Sequence, residues 1–87
     1  MREAFIDGTP FRRDNTEVRV TDYSVSIYLF GNKIAYRNED GTFISSCGWP
    51  TNTTKDRLNA LPNVRIHQLK GMWYLNGNKW DGSSTRV

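Results

Sequence analysis

Four short glycine-containing sequences divide much of the chain into brief segments. They are Gly31–Asn32, Asp40–Gly41, Lys70–Gly71 and Asn76–Asn78. Glycine, asparagine and aspartate are favoured in tight turns because they tolerate positive φ angles. Segments between such closely spaced turns are too short for long helices. The spacing therefore predicts β-hairpins and, with them, antiparallel sheet.

Between these turns the residue types alternate with the two-residue period of a β-strand. Tyr23–Phe30 is the clearest case, and Val64–Leu69 shows the same alternation after the middle of the chain. A period of two places successive side chains on opposite faces of a sheet. The other predicted strands are Val18–Val20, Lys33–Asn38, Thr42–Cys47, Met72–Leu75 and the short edge element Lys79–Asp81.

One segment has the signals of a helix. The residues 51–53 are all suitable N-caps, because a short side-chain oxygen can accept from a free N–H group of the first turn. Thr53 followed by Asp56 resembles a capping box with Asp in place of Glu or Gln. Pro62 cannot continue the helical hydrogen-bond ladder. We therefore predict a helix at about 53–61.

These elements predict an α+β fold, in which a mainly antiparallel sheet built from hairpins carries one short helix packed on one face. The whole chain, 1–87, is expected to be a single small domain. Residues 1–20 are expected to form a loosely patterned N-terminal extension, with Ala4–Ile6 as a candidate strand. Residues 82–87 are expected to form a flexible tail.

The composition is that of a folded, mildly basic protein. Aromatic residues make up 13% of the 87 positions, and large rings can build a core although only 37% of the residues are hydrophobic. The net charge of +3 suits a partner that is a nucleotide, a nucleic acid or an acidic protein. A domain this small buries a modest fraction of its surface, so a homo-oligomer is also expected. The chain has neither a secretory signal nor a long apolar run, which predicts an intracellular location without a membrane partner.

Groups that could support catalysis are sparse. Cys47 and His67 are the only residues of their types, and a catalytic pair would need them to meet across the domain with a third group orienting the imidazole. The nine carboxylates show no recognisable acid–base spacing. The sequence contains no phosphate loop, dinucleotide fingerprint or metal-ligand cluster. We therefore predict a non-enzymatic protein with no catalytic residue, no metal site and no cofactor.

A binding role has more support in the sequence. At the start of the helix, free N–H groups, the hydroxyls of Thr53 and Thr54 and the Lys55 ammonium are expected to converge where the helix dipole favours an anion. Basic residues interleaved with aromatic ones in the segment after the helix suit stacking on a base and neutralising a phosphate. The predicted ligand-binding residues are Thr53, Thr54, Lys55, Arg57, Asn59, Arg65, Lys70, Trp49 and Trp73. The alternative is an ordinary capped helix with solvated cations and with the tryptophans in the core.

Several runs of the sequence resemble a family of small bacteriophage proteins without an assigned chemistry. The runs are Leu29–Ala35, Ile44–Trp49, Thr51–Leu61 and Trp73–Gly77, with Phe11 and Asn15–Thr16 outside them. The resemblance covers most of the chain and carries no catalytic residue with it. It implies a biological context, since small non-structural phage proteins often act on host machinery or host defence by binding.

Together these observations predict a phage counter-defence or host-takeover protein in the host cytoplasm that binds a phosphate-bearing ligand, either a nucleotide immune signal or nucleic acid. The first alternative is a protein-interaction module that inhibits a host enzyme through a sheet edge or an aromatic patch. The second alternative is a minor scaffold protein of the virion.

Overall fold

The computed structural model describes residues 1–87 and confirms the α+β class, with antiparallel strands and short helices. The helices are α1, Arg2–Asp7, and α2, Asn52–Asn59. The strands are β1, Phe11–Arg13; β2, Thr16–Val20; β3, Val25–Leu29; β4, Asn32–Asn38; β5, Gly41–Ile44; β6, Ile66–Leu69; β7, Met72–Leu75; β8, Asn78–Lys79; and β9, Thr85–Arg86. Neither helix has the length and hydropathy needed to span a bilayer.

The strands form two sheets, and every pairing is antiparallel. The larger sheet has the order β1-β2-β3-β4-β5-β9, and the smaller sheet has the order β6-β7-β8. Consecutive strands are therefore neighbours from β1 to β5, as expected for a chain of hairpins. The predicted turns at Lys70–Gly71 and Asn76–Gly77 are confirmed, because both residues of each pair have positive φ.

The turn between β3 and β4 lies one residue earlier than predicted. Leu29 pairs with Asn32, so the two-residue loop is Phe30–Gly31 and not Gly31–Asn32. Both loop residues have positive φ, 50° for Phe30 and 81° for Gly31. The glycine therefore occupies the second loop position, and the bulky Phe30 takes a backbone conformation that large side chains rarely adopt.

The N-terminal segment differs from its prediction. Ala4–Ile6 lies in α1 and not in a strand, and Gly8 ends this helix in the left-handed conformation. Residues 1–20 also contain β1 and β2, and they bring Phe5 and Val18 into the core. At the other end, residues 82–87 include β9, which pairs with β5.

Helix α2 is shorter than predicted and begins earlier. Its N-cap is Thr51, whose hydroxyl accepts a hydrogen bond from the Thr54 N–H at 3.2 Å. The predicted capping box at Thr53 is therefore not the cap that forms. Leu58 is fully buried, and the helix contacts both β4 and β6, so it joins the two sheets over one continuous core. That core contains 16 buried residues.

Candidate nucleic-acid interface

The register of the larger sheet places a set of polar and aromatic residues on the face opposite the core. Glu17 on β2 pairs with Tyr28 on β3, and Tyr28 pairs with Lys33 on β4. Farther along β4, Tyr36 pairs with Phe43 on β5. Directly paired residues point to the same side of a sheet. We call this surface the open face, and its residues are Arg12, Glu17, Arg19, Ser26, Tyr28, Lys33, Tyr36, Phe43 and Arg86.

Both helices pack on the other side of this sheet. The end of α1 at Gly8 lies against Val25, and the Arg57 side chain of α2 donates a hydrogen bond to the Thr16 hydroxyl at 3.1 Å. Val25 and Thr16 are buried and belong to the core side of their strands. The rings and cations of the open face are consequently directed away from both helices.

Three aromatic rings lie on adjacent central strands of the open face. Tyr36 and Phe43 are stacked, with ring centroids 5.0 Å apart and an angle of 17° between the ring planes. Tyr28 lies on the neighbouring strand β3, and all three side chains are half-buried. Neighbouring strands are about 4.8 Å apart, so the rings form a compact platform on three strands. Rings held at this spacing can accept planar groups from solution.

Cations surround these rings at short range. The Arg19 guanidinium carbon lies 3.9 Å from the centroid of the Tyr28 ring, a cation–π contact. The Lys33 ammonium lies 5.5 Å from the Tyr36 ring and 5.9 Å from the Tyr28 ring. Arg12 and Arg86 extend the positive charge to the two edges of the sheet, and both are exposed.

One carboxylate, Glu17, lies among the four cations. Arg19 donates a hydrogen bond to Glu17, with a nitrogen–oxygen distance of 3.1 Å. This hydrogen bond holds the pKa of Glu17 below its usual value, and the charges of Arg19 and Arg12 lower it further. The same hydrogen bond raises the pKa of Arg19. The open face thus carries a net positive charge near neutral pH, together with three rings.

Several groups of the predicted anion cradle at the start of α2 bond to the protein itself. The Thr51 hydroxyl caps the Thr54 N–H and lies 3.1 Å from the Thr54 hydroxyl. Thr54 is buried, and Thr53 is half-buried. The Lys55 ammonium lies 3.5 Å from the Gln68 side-chain oxygen and not at the helix tip. Thr54 and Lys55 therefore use their polar groups within the protein, whereas the Thr53 hydroxyl forms no hydrogen bond there.

The other predicted site residues are dispersed. Arg57 lies between Thr16 and its own neighbour Asp56, with which it forms an ion pair at 2.8 Å. Arg65 and Lys70 are exposed at opposite ends of β6. Trp73 is buried and stacks on Trp80 in the core, with centroids 6.1 Å apart. The structure does not bring these residues together into one site.

Asn59 has a structural role. Its amide donates to the Ile66 carbonyl at 2.9 Å, and its side-chain oxygen accepts from the Ile66 N–H at 2.6 Å. These two bonds attach the end of α2 to the edge strand β6. The contact pairs backbone groups that would otherwise lack a partner in the protein.

We expect Asn59→Ala to lower the free energy of unfolding by about 1–3 kcal/mol, because two backbone groups of Ile66 lose their partners. The measurement is urea unfolding followed by circular dichroism. Asn52→Ala in the same helix is the control, since the Asn52 side chain is exposed and its φ angle is negative. Equal stability of Asn59→Ala and the wild type would contradict this role.

A second surface feature lies where the β3–β4 hairpin meets the start of α2. This cavity of about 400 Å³, here called the hairpin pocket, includes two of the predicted site residues in its lining. Its lining residues are Leu29, Phe30, Asn32, Ile34, Ser46, Trp49, Thr51 and Thr54. Phe30 and Trp49 are its exposed walls, with 70% and 60% of their surfaces accessible.

The comparisons with known proteins give a family for this chain. The sequence model of a phage family described as Kyanoviridae Gp96 protein matches residues 1–86. The chain belongs to the Kyanoviridae Gp96 protein family. This match covers nearly the whole chain and confirms that it is a small phage protein. No curated protein and no solved structure is significantly similar to it.

The open face was not among the predicted sites, although one signal for it is present in the sequence. Tyr28 stands between two buried apolar residues of β3, and Tyr36 stands between Ala35 and Arg37 in the returning strand. An aromatic residue on the solvent side of each strand of a hairpin is a cue to a stacking surface. No group of three or more His, Cys, Asp or Glu side chains lies close enough to hold a metal ion.

Proposed function

We propose that this phage protein binds single-stranded nucleic acid on the open face and that it acts by binding, without catalysis. The observation that supports the proposal is the platform of Tyr28, Tyr36 and Phe43 bordered by four cations. Proteins that bind single strands combine stacking rings with a positively charged path for the backbone. The open face carries both features on one side of one sheet.

A single strand suits this surface better than a duplex does. Bases of a duplex expose only their edges, which are read by an element that enters a groove. The open face is instead a sheet surface, and its rings can stack only on bases that are already unpaired. A platform spanning three strands, roughly 10 Å across, matches two or three stacked bases.

Arg19 adds to the platform in two ways. Its guanidinium already lies on the Tyr28 ring, and a guanidinium plane can itself stack on a base. The same charge neutralises a phosphate when the strand is bound. Glu17 holds Arg19 in place through their ion pair, which limits the freedom of a long side chain before a ligand arrives.

In an infected cell, such a protein would act in the host cytoplasm as a counter-defence or host-takeover factor. Coating or occupying single-stranded nucleic acid denies it to host enzymes without any chemistry. The same surface suits a nucleotide immune signal less well, because the open face lacks the concave walls that enclose a small ligand. The phosphate-bearing partner that the open face favours is therefore a polymer.

We expect a fluorescent single-stranded oligonucleotide to bind at low salt, with affinity falling as salt rises. Release of counterions by up to four cations gives a slope of log K against log salt of about −3 for a single strand. Fluorescence polarisation at several salt concentrations measures this slope. The double variant Arg19→Gln and Lys33→Gln is expected to make the slope shallower by about 1.4.

The matched control removes the same charge elsewhere on the chain. Arg65→Gln with Lys70→Gln changes two exposed cations at the ends of β6 and is expected to leave the slope unchanged. A duplex of the same sequence is expected to bind more weakly than the single strand. Absence of single-strand binding at low salt, or an equal effect of both double variants, would contradict the proposal.

A protein-interaction module is the second candidate function, and one observation favours it. Leu69 and Met72 face each other across the tip of the β6–β7 hairpin, and both are exposed. This function predicts capture of a host protein that is lost in Leu69→Ser but retained in Tyr28→Ala.

A further inference from the structure

The lining of the hairpin pocket selects for a neutral ligand. None of its eight residues is ionisable at neutral pH, and a buried charge without a partner is costly. The apolar walls are Leu29, Phe30, Ile34 and Trp49. A volume of about 400 Å³ lies within the range of small-molecule sites, which are mostly apolar with a few placed polar groups.

The polar groups of the pocket match the edge of a nucleobase. The Asn32 amide provides both a donor and an acceptor, which is the pattern that pairs with base edges. The hydroxyls of Thr51 and Thr54 bond to each other, and the one that accepts in this pair keeps its own O–H to donate. The exposed rings of Trp49 and Phe30 supply flat apolar surface beside these groups.

The pocket also adjoins the end of the open face. Phe30 follows Tyr28 by two positions in the same hairpin, so its Cα lies roughly 7 Å farther along the strand direction. Lys33, which pairs with Tyr28, is next in sequence to the pocket residue Asn32. The pocket lies on the helix side of the sheet, so a strand that leaves the ring platform along β3 reaches it by passing round the tip of this hairpin.

We infer that the hairpin pocket takes one unstacked base of the single strand held on the open face, with Trp49 stacking on it and Asn32 reading its edge. This inference rests on the proposed function. It assigns a base-reading site to a surface that otherwise binds without regard to sequence. It also gives roles to Trp49 and Thr54 that need no anion at the helix tip.

Tryptophan fluorescence tests this pocket selectively. Trp73 and Trp80 are each only 8% exposed, whereas Trp49 is 60% exposed and is the tryptophan most open to solution ligands. Titration with uncharged nucleosides is expected to quench the emission in a saturable way. Asn32→Ala is expected to weaken binding, which raises the half-saturation concentration severalfold. Trp49→Phe keeps a ring and is expected to lose the quenching. Trp49→Ala is expected to weaken oligonucleotide binding by about fivefold or more.

The outcomes separate this inference from the proposed function. Oligonucleotide binding on the open face without any change in Trp49 emission would overturn the pocket and leave the open face standing. Nucleoside quenching that persists in a Tyr28→Ala and Tyr36→Ala variant unable to bind oligonucleotides would support the pocket as an independent base site. Saturable quenching by N-acetyl-leucinamide but by no nucleoside would overturn it in favour of an apolar side chain of a protein partner.

Discussion

Replacing both Tyr28 and Tyr36 with Ala is expected to weaken binding of a single-stranded oligonucleotide by about 30-fold or more. Each base stacked on an aromatic side chain is worth about 1–3 kcal/mol, and 1.4 kcal/mol corresponds to a tenfold change in affinity. Loss of Tyr36 also removes the stacking partner of Phe43, 5.0 Å away. Fluorescence polarisation at one low salt concentration measures the change.

The smaller sheet offers a matched control for this experiment. His67 and Tyr74 are stacked with centroids 5.1 Å apart and ring planes 10° apart, and Lys79 pairs with Tyr74 on the neighbouring strand. Replacing His67 and Tyr74 with Ala removes two rings from a comparable sheet and is expected to leave affinity unchanged. Equal losses from both double variants would show that the effect is not specific to the open face.

A conservative substitution separates stacking from folding in the same experiment. Tyr28→Phe with Tyr36→Phe keeps both rings and removes only the hydroxyls, so it is expected to retain affinity within a few-fold. Circular dichroism of each variant shows whether the sheet is intact. Full affinity in the double Ala variant with an intact sheet would exclude the rings as a binding platform.

The hairpins were predictable because turn residues and alternation agree along most of the chain. Lys70–Gly71 and Asn76–Gly77 each place glycine at a loop position that needs positive φ. The two-residue alternation of the strand between these turns also depends only on neighbouring residues. Features that depend on neighbouring residues alone were therefore accessible to prediction.

The open face was harder to predict because it depends on the pairing between strands. A loop at Gly31–Asn32 would have set Tyr28 opposite Ala35, whereas the observed loop sets it opposite Lys33. An irregularity at Ile27/Tyr28 then sets Ile27 opposite Ala35. A shift of one residue moves a strand's side chains to the other face. The same irregularity buries Ile34 and Ala35 together. The contact of Lys33 with both tyrosine rings follows from this register, which the sequence pattern does not specify.

The anion site predicted at α2 depends on hydrogen-bond partners that residue types do not specify. Threonines and a lysine at a helix start were taken as groups available to a ligand, but side-chain hydroxyls compete for the same N–H groups. Thr51 satisfies the Thr54 N–H, and Lys55 turns towards Gln68. The packed structure determines which hydrogen-bond donor pairs with which acceptor, so residue type alone could not predict these partners.

Replacing Phe5 with Ala is expected to lower the free energy of unfolding by about 3–5 kcal/mol, because the side chain is 2% exposed and its removal leaves a cavity. Such a loss is a large part of the 5–15 kcal/mol typical of a folded domain. Urea unfolding followed by tryptophan fluorescence measures it. Ile6→Ala in the same helix is the control, since Ile6 is 43% exposed, and its expected loss is below about 1 kcal/mol.

The reason for this large effect lies in how α1 is attached to the larger sheet. The Arg37 side chain of β4 donates to the Phe5 carbonyl at 2.7 Å and to the Ile6 carbonyl at 3.0 Å, and its guanidinium lies 5.7 Å from the Phe5 ring. A six-residue helix is unstable alone, so these bonds and the burial of Phe5 must hold it. If the N-terminal segment were only a loose extension, Phe5→Ala would unfold at the same urea midpoint as the wild type.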